Sequence, residues 1–266
     1  MAEDFLYKTI PGRMLLKLLI RPKLSEKAGK FLDSSYSRFL IKPFIKSYNI
    51  STEGVIVPDG GFKCFNDFFK RERVLEDTPK EGYLCAPCDG WLSIYPITKK
   101  GEFTIKKSVY SIETLLEDKA LAKRFIGGYA NIFRLTPADY HRYTWVDNGR
   151  ARYSKRINGV LHTVRPVAIE SVPVFHRNCR EYTLFESDNF GTIVQMEVGA
   201  MLVGRIVNKP LRQRIFAGKE KGYFEYGGST IIVLTEPGKF TPDDQILDRF
   251  NEESEIHVTK GDPIGK

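Results

Sequence analysis

The sequence predicts an α+β protein with a compact, mostly antiparallel β core and amphipathic helices at the N-terminus. From residue 83 onward, short runs rich in β-branched and aromatic residues alternate with Gly, Pro, Asp and Asn, as in strands joined by turns. Before residue 51, apolar residues recur instead at helical spacing. With 266 residues, 42% of them hydrophobic, the chain can bury a substantial core.

Residues 1–50 are predicted to form short helices that Pro11, Pro22 and Pro43 separate. They hold 10 Lys/Arg against 4 Asp/Glu, so +6 of the net charge of +8 lies here. Basic residues beside apolar helix faces favour a membrane surface, and packing of those faces on the core or on a dimer partner is an equal alternative. Nucleic acid ranks third, because no reading motif accompanies the charge. No apolar run approaches the roughly 20 residues that span a bilayer, and no secretory signal is expected.

The β-rich part follows one short helix, predicted from Asn66 to Arg73 with Phe65, Phe68 and Phe69 as its apolar face. A second helix is predicted near residues 111–125, where a serine hydroxyl can cap the first turn. The predicted strands are 91–96, 102–106, 129–135, 151–157, 181–186, 191–198, 201–207, 223–226 and 230–235.

Four cysteines, at positions 64, 85, 88 and 179, do not predict a disulfide framework. Cys85-Ala86-Pro87-Cys88 has the C-x-x-C spacing of redox sites, but a strand follows Asp89-Gly90 at once, whereas a redox motif opens a helix. A four-thiolate zinc site would need a second pair of cysteines. We therefore expect reduced, structural thiols and no metal.

A turn of small residues, Tyr226-Gly227-Gly228-Ser229-Thr230, leads into the last predicted strand. Glycines tolerate strained backbone and allow a close approach to a peptide bond. Ser229 Oγ can in principle add to the Gly228 carbonyl, move the acyl group from nitrogen to oxygen, and depart by β-elimination, which leaves an N-terminal pyruvoyl group. On its own, such a turn more often marks a loop that enters a sheet.

Further segments accompany this turn in one order along the chain. They are Phe65-Asn66-Asp67-Phe68-Phe69 with Arg73, Cys85 to Gly90, Leu135 to Tyr143, Gly159 to Pro166, Asn189-Phe190-Gly191 and Glu197-Val198-Gly199-Ala200. Together they resemble the phosphatidylserine decarboxylase family over roughly residues 60 to 266. Residues 196–206 are also similar to the glycine-punctuated hairpin of barrel-sandwich hybrid domains, so the resemblance implies a barrel-sandwich-hybrid-like β core.

The resemblance implies a self-processing enzyme with a catalytic domain, 51–266, and the charge and apolar faces of residues 1–50 predict a membrane-associating region before it. Cleavage between Gly228 and Ser229 would give fragments 1–228 and 229–266 and convert Ser229 into a covalent pyruvoyl cofactor. The aspartate of the family's Asp-His-Ser arrangement matches Asp89, and its serine matches Ser229. His141 matches the family's first histidine, which is associated with substrate handling and protonation. The other histidines, His162, His176 and His257, lack comparable context and are interpreted as structural.

The family's second histidine, which pairs with the aspartate and the serine, is replaced here by Thr144. Threonine lacks an imidazole with a pKa of about 6.5 and is no base near neutral pH. Three interpretations stay open. His141 takes over the role, Asp89 acts on Ser229 directly or through a water or Thr144, or maturation is slow or lost.

The activity that the resemblance implies is decarboxylation of phosphatidylserine to phosphatidylethanolamine. An anionic leaflet attracts each Lys or Arg near its surface by about 1 kcal/mol, so we expect a peripheral protein at the cytoplasmic face of the cell membrane. The resemblance also implies a homodimer. Two rival hypotheses are a relative that decarboxylates a soluble amino acid, such as an aromatic one, and an unprocessed relative that only binds lipid or a partner.

Overall fold

The computed structural model defines residues 2–74, 79–105, 108–200, 205–226 and 229–266. Its helices are α1 (Ala2–Lys8), α2 (Ile10–Leu19), α3 (Pro22–Leu32), α4 (Ile41–Tyr48), α5 (Phe65–Phe69), α6 (Ile112–Leu116), α7 (Lys119–Ala122), α8 (Pro166–Ser171), α9 (Val174–Arg177) and α10 (Asp244–Glu253), with 3₁₀ turns at Ser35–Leu40 and Lys123–Phe125. Prolines begin several of them, because proline is tolerated in the first helical turn. Pro11 and Pro22 occupy such positions in α2 and α3.

The strands are β1 (Val55–Ile56), β2 (Glu72–Arg73), β3 (Leu84–Cys85), β4 (Gly90–Pro96), β5 (Glu102–Ile105), β6 (Ser108–Ser111), β7 (Tyr129–Leu135), β8 (Arg142–Thr144), β9 (Gly149–Ile157), β10 (Arg180–Ser187), β11 (Gly191–Val198), β12 (Ile206–Asn208), β13 (Arg214–Ile215), β14 (Glu220–Phe224), β15 (Ser229–Thr235), β16 (Ile256–Val258) and β17 (Pro263–Gly265). Eight of the described strands form one antiparallel main sheet in the order β13-β9-β10-β11-β15-β7-β4-β16. Every residue of β15 is buried inside this sheet.

A second sheet, β12-β14-β8, covers one face of the main sheet. Its Tyr143, Ile206 and Phe224 share a buried apolar cluster with Phe133 and Ile231 of the main sheet. The opposite face of the main sheet packs on the β5-β6 hairpin and the helices α6, α8 and α9. The fold is therefore an α+β sandwich, as predicted, and the described strands close no barrel.

The N-terminal helices share the core of the rest of the chain. Leu16 and Ile20 join the cluster beneath α6, while Phe44 packs with the aromatic side chains of α5. The packing alternative is therefore correct for this face. A second face stays exposed, with Ile10 at 71%, Met14 at 68% and Leu18 at 52% accessibility along α2. None of the described helices has the length and apolar content to cross a bilayer.

Most predicted elements are confirmed, and four differ. The helix predicted near 111–125 is split, because Glu117 adopts left-handed backbone with φ 49° and Asp118 then caps α7 through Leu121 N at 2.9 Å. The helix predicted over 66–73 ends at residue 69, and β2 follows. Strand 223–226 is observed as β14 at 220–224, whereas much of 201–207 lies outside the described residues and β12 pairs with β14 rather than with β11. The cysteines are free thiols, as predicted.

Candidate active site

Ser229 is the first residue of β15, between the ends of two neighbouring strands. It lies opposite Leu135 of β7, and the next residue, Thr230, lies opposite Val198 of β11. Ser229 is 1% exposed, and its Oγ has no hydrogen-bond partner among the described residues. A buried hydroxyl without a partner costs about 1–3 kcal/mol, and such an atom calls for a functional or structural explanation. Gly227 and Gly228 lie outside the described residues.

Asp89 immediately precedes β4 at the same edge of the main sheet. β7 separates β4 from β15, so two strand spacings put the Asp89 and Ser229 backbones about 10 Å apart. Gly90 permits the close approach of this segment, because it has φ +149° and a Cβ there would lie 2.8 Å from the Arg134 carbonyl oxygen. The structure therefore brings Asp89 to the same end of the sheet as Ser229, with a strand between them.

Both carboxylate oxygens of Asp89 already have partners. Oδ1 accepts the Lys260 main-chain N–H at 2.9 Å, and Oδ2 lies 3.5 Å from Arg73 Nη1. Burial raises the pKa of Asp89, although these two partners oppose the shift. The segment that carries Asp89 is thereby fixed to the chain near β16.

His141 is fully buried in the loop between β7 and β8. Its Nδ1 lies 2.8 Å from the Asp139 carbonyl oxygen, which can only accept a hydrogen bond, so Nδ1 carries the hydrogen and Nε2 is the basic nitrogen. The imidazole packs on Phe69 at 4.1 Å between ring centroids, and Phe69 also contacts Tyr226 at 5.1 Å. One aromatic ring thus connects His141 to the segment that leads to Ser229.

Asp139 organises this loop through contacts that the sequence did not indicate. Its Oδ2 accepts hydrogen bonds from Thr136 N at 2.6 Å and Thr136 Oγ1 at 2.8 Å. Its Oδ1 lies 3.5 Å from Nε2 of His257, a residue far along the chain. The interpretation of His257 as structural agrees with this contact. His162 is buried beside Tyr7, and the half-buried His176 lies beside the Ser111 carbonyl oxygen. Desolvation lowers the pKa of each imidazole to about 4.

The Thr144 hydroxyl is engaged with the main chain at Pro87. Its hydroxyl donates to the Pro87 carbonyl oxygen at 3.3 Å, and its main-chain N–H donates to the same oxygen at 2.9 Å. Its own carbonyl oxygen accepts Gln195 Nε2 at 2.9 Å. No hydrogen bond among the described residues joins Thr144 to Ser229, Asp89 or His141.

A cavity of about 450 Å³ opens beside Tyr226, between α3 and the β core. Arg205 at its rim contacts Glu225 at 3.1 Å and Asp33 at 3.8 Å. Asn66 joins the cavity to the segment before Ser229, since it donates to Asp33 at 2.9 Å and accepts the Tyr226 N–H at 3.3 Å. The cavity therefore offers apolar wall and both signs of charge close to the predicted cleavage site.

Comparison with known proteins decides the family. The family model described as phosphatidylserine decarboxylase matches residues 62–266. This chain belongs to the phosphatidylserine decarboxylase family. Relatives named phosphatidylserine decarboxylase proenzyme include those of Ruminiclostridium cellulolyticum, 40% identical over 98% of this chain and 89% of the relative, and Clostridium kluyveri, 39% identical over 96% and 88%. The relative from Clostridium acetobutylicum, named phosphatidylserine decarboxylase proenzyme 2, is 38% identical over 98% of this chain and 90% of its own length.

In this phosphatidylserine decarboxylase family member, the motif residues converge. Asp89, His141 and Ser229 all lie at one end of the β15-β7-β4 part of the main sheet or in the loop that leaves it. Within the described ranges, no group of three or more His, Cys, Asp or Glu side chains is arranged to hold a metal ion.

Proposed function

We propose that this chain is a self-processing carboxy-lyase that converts phosphatidylserine into phosphatidylethanolamine and CO₂ after cleavage between Gly228 and Ser229. The observation that carries the proposal is the Ser229 hydroxyl, which is buried at the start of a central strand and has no hydrogen-bond partner among the described residues. Relatives with a proenzyme name support a precursor that is processed.

The proposed cleavage proceeds in three balanced steps. A base takes the Ser229 hydroxyl proton, Oγ adds to the Gly228 carbonyl carbon, and the peptide C–N bond breaks as the Ser229 nitrogen receives a proton, which gives an ester. A base then removes the Cα proton of residue 229, the Cβ–Oγ bond breaks, and Gly228 departs as a carboxylate. One water hydrolyses the resulting enamine, releases ammonia and leaves the pyruvoyl carbonyl.

The Ser229 position fits a pyruvoyl group, because its Oγ makes no hydrogen bond to the described part of the chain that the conversion would break. A pyruvoyl group at residue 229 would supply a carbonyl to bind the substrate amine and an adjacent amide carbonyl to take up the electrons released as CO₂ leaves. We assign His141 as the general acid that returns a proton to the substrate Cα. The Asp139 carbonyl supports this role, since it fixes the Nδ1–H tautomer and makes Nε2 the basic ring nitrogen.

The cavity beside Tyr226 is the proposed site for the substrate headgroup. Arg205 and Lys30 can attract the phosphate and the carboxylate, and Glu225 can attract the ammonium. The exposed apolar side chains of α2, together with the net charge of +6 over residues 1–50, support docking on an anionic membrane surface. We infer a peripheral protein at the cytoplasmic face of the cell membrane. A homodimer is inferred from the family resemblance and can be tested by light scattering.

Intact mass of the purified protein tests the self-processing. We expect fragments 1–228 and 229–266, with a blocked N-terminus on the smaller one, and a single uncut chain for Ser229→Ala. Thr235→Val is the matched control, because Thr235 Oγ1 is equally buried and unpartnered at the far end of the same strand. An uncut wild-type chain under all maturation conditions would refute the proposal and favour the non-catalytic relative.

Substrate choice is tested separately on the cleaved protein. CO₂ release should require phosphatidylserine in vesicles or micelles. His141→Ala should reduce CO₂ release while the two fragments stay associated. Release of CO₂ from a free aromatic amino acid, with none from the lipid, would favour the soluble-substrate alternative.

A further inference from the structure

A buried ion pair lies between the main sheet and the second sheet, where apolar packing is otherwise the rule. Lys221 Nζ of β14 is 2.7 Å from Glu197 Oε2 of β11, and the two side chains are 2% and 0% exposed. Asn208 completes the contact, since it donates to Glu197 Oε2 at 3.1 Å and accepts from Lys221 Nζ at 2.9 Å. Replacing a buried ion pair by apolar residues of similar volume is often neutral or stabilising, so stability alone does not account for this one.

The second carboxylate oxygen of Glu197 is unused. Oε1 is buried and has no hydrogen-bond partner in the described part of the chain. Burial raises the pKa of Glu197, and the Lys221 charge opposes that shift. The carboxylate thus combines an oxygen that can accept a proton with an environment that makes it more basic than usual.

Glu197 lies on the same face of the main sheet as Ser229. It is opposite Ile231, and Ser229 is two residues before Ile231 on β15, so the alternation of strand side chains directs Glu197 and Ser229 to one face. Diagonal neighbours on adjacent strands have Cβ atoms about 7–8 Å apart or less, within reach of a long side chain. The two unpartnered polar atoms, Glu197 Oε1 and Ser229 Oγ, therefore lie on adjacent strands of one buried face.

Asp89 and Thr144 are less well placed than Glu197 to act on Ser229. Asp89 is separated from Ser229 by β7, and both of its oxygens are engaged. The Thr144 carbonyl oxygen accepts a hydrogen bond from Gln195. Gln195 is on the same face of β11 as Glu197 but lies two residues further from Ser229. Burial raises the pKa of the Cys88 thiol, and the charges of Asp89, Asp139 and Glu197 add to that rise.

We propose that Glu197, held by Lys221, is the base that takes the Ser229 hydroxyl proton during self-cleavage and so replaces the imidazole that is missing at Thr144. The Ser229 Oγ–H proton passes to Glu197 Oε1 as Oγ adds to the Gly228 carbonyl carbon. The same proton passes to the Ser229 nitrogen as the C–N bond breaks, which restores the carboxylate. The inference rests on the proposed self-processing and requires no other reactant.

Cleavage kinetics of freshly translated precursor test this assignment. Glu197→Gln should slow cleavage by about 10²-fold or more, the usual contribution of a positioned base. Glu181→Gln is the matched control, because Glu181 lies opposite Glu197 on β10 and bonds the same Asn208 at 2.8 Å, but on the side away from β15. It should change the rate less than about threefold, well below the contribution of a positioned base.

The dependence of the cleavage rate on pH distinguishes a base from a residue with a purely structural role. The wild-type rate should rise with pH through a pKa above 4.5, the ordinary value for glutamate, and Glu197→Gln should lose this rise. If Glu197→Gln does not fold, Glu197→Asp decides: slower cleavage with the same rise supports the assignment, and a pH-independent rate overturns it. If folded Glu197→Gln is cleaved as fast as the wild type, the role of Glu197 is refuted and the proposed processing stands. If the wild type itself is not cut, the proposed processing is refuted.

Discussion

Truncating Phe44 should destabilise the protein and also slow its maturation. Phe44 of α4 is 8% exposed, and its ring lies 4.9 Å from Phe65 and 5.8 Å from Tyr226, both edge-on. Removing a buried phenylalanine side chain costs about 3–5 kcal/mol, and edge-to-face aromatic pairs contribute about 0.5–1.5 kcal/mol each to that loss. We expect Phe44→Ala to lower the free energy of unfolding by about 4 kcal/mol.

Urea unfolding measures this loss in a Ser229→Ala background, which keeps every molecule a single chain. Phe39→Ala is the control, because Phe39 is 68% exposed and its loss should change stability by less than about 0.5 kcal/mol. With Ser229 restored, Phe44→Ala should slow cleavage by about 10- to 100-fold, since the Tyr226 segment loses a wall that positions it. Equal effects of the two truncations on stability would show that α4 does not share the core of α5.

Two further predictions concern acid stability and membrane binding. Burial lowers the pKa of His162 from 6.5 to about 4, so below pH 6.5 the folded state binds fewer protons than the unfolded state, and stability should fall from there to about pH 4. After allowance for solvent screening, we expect the free energy of unfolding to fall by about 1–2 kcal/mol over this range. Urea midpoints of His162→Gln that depend on pH as strongly as those of the wild type would contradict this. The double variant Met14→Glu, Leu18→Glu should float less with anionic phosphatidylserine vesicles than the wild type does. Phe216→Glu is the control and should float normally, because Phe216 is 52% exposed on the β core. Equal flotation of the two variants would show that α2 does not contact the membrane.

Strand periodicity located much of the main sheet before its structure was known. β7 and β11 have the predicted bounds, because their long apolar runs are dictated by burial on both faces. The short strands β3, β13, β16 and β17 escaped prediction, since two or three residues carry no period and become strands only through distant partners. The break at Glu117 escaped for a similar reason, because one left-handed residue leaves little trace in composition.

Sequence motifs predict only part of the candidate site. Asp89, His141 and Ser229 were identified from their neighbours in sequence, and the structure brings them to one end of the sheet. The contact between Glu197 and Lys221 joins residues 24 positions apart on different sheets, and no local pattern announces it. The apolar helix faces of residues 1–50 were predicted, but which of them face the core was decided by packing against α5 and against the cluster beneath α6.

The central location of β15 has a consequence for the lifetime of the mature protein. Cleavage before Ser229 would leave residues 229–266 attached through the ladders of β15 to β7 and β11 and of β16 to β4. The two fragments could then separate only by dismantling the middle of the main sheet, so dissociation and global unfolding would become one event. Refolding would require two chains to meet, which makes it dependent on concentration, whereas the precursor folds as one chain. The lifetime of the mature protein would therefore be set by its unfolding rate and not by its refolding equilibrium.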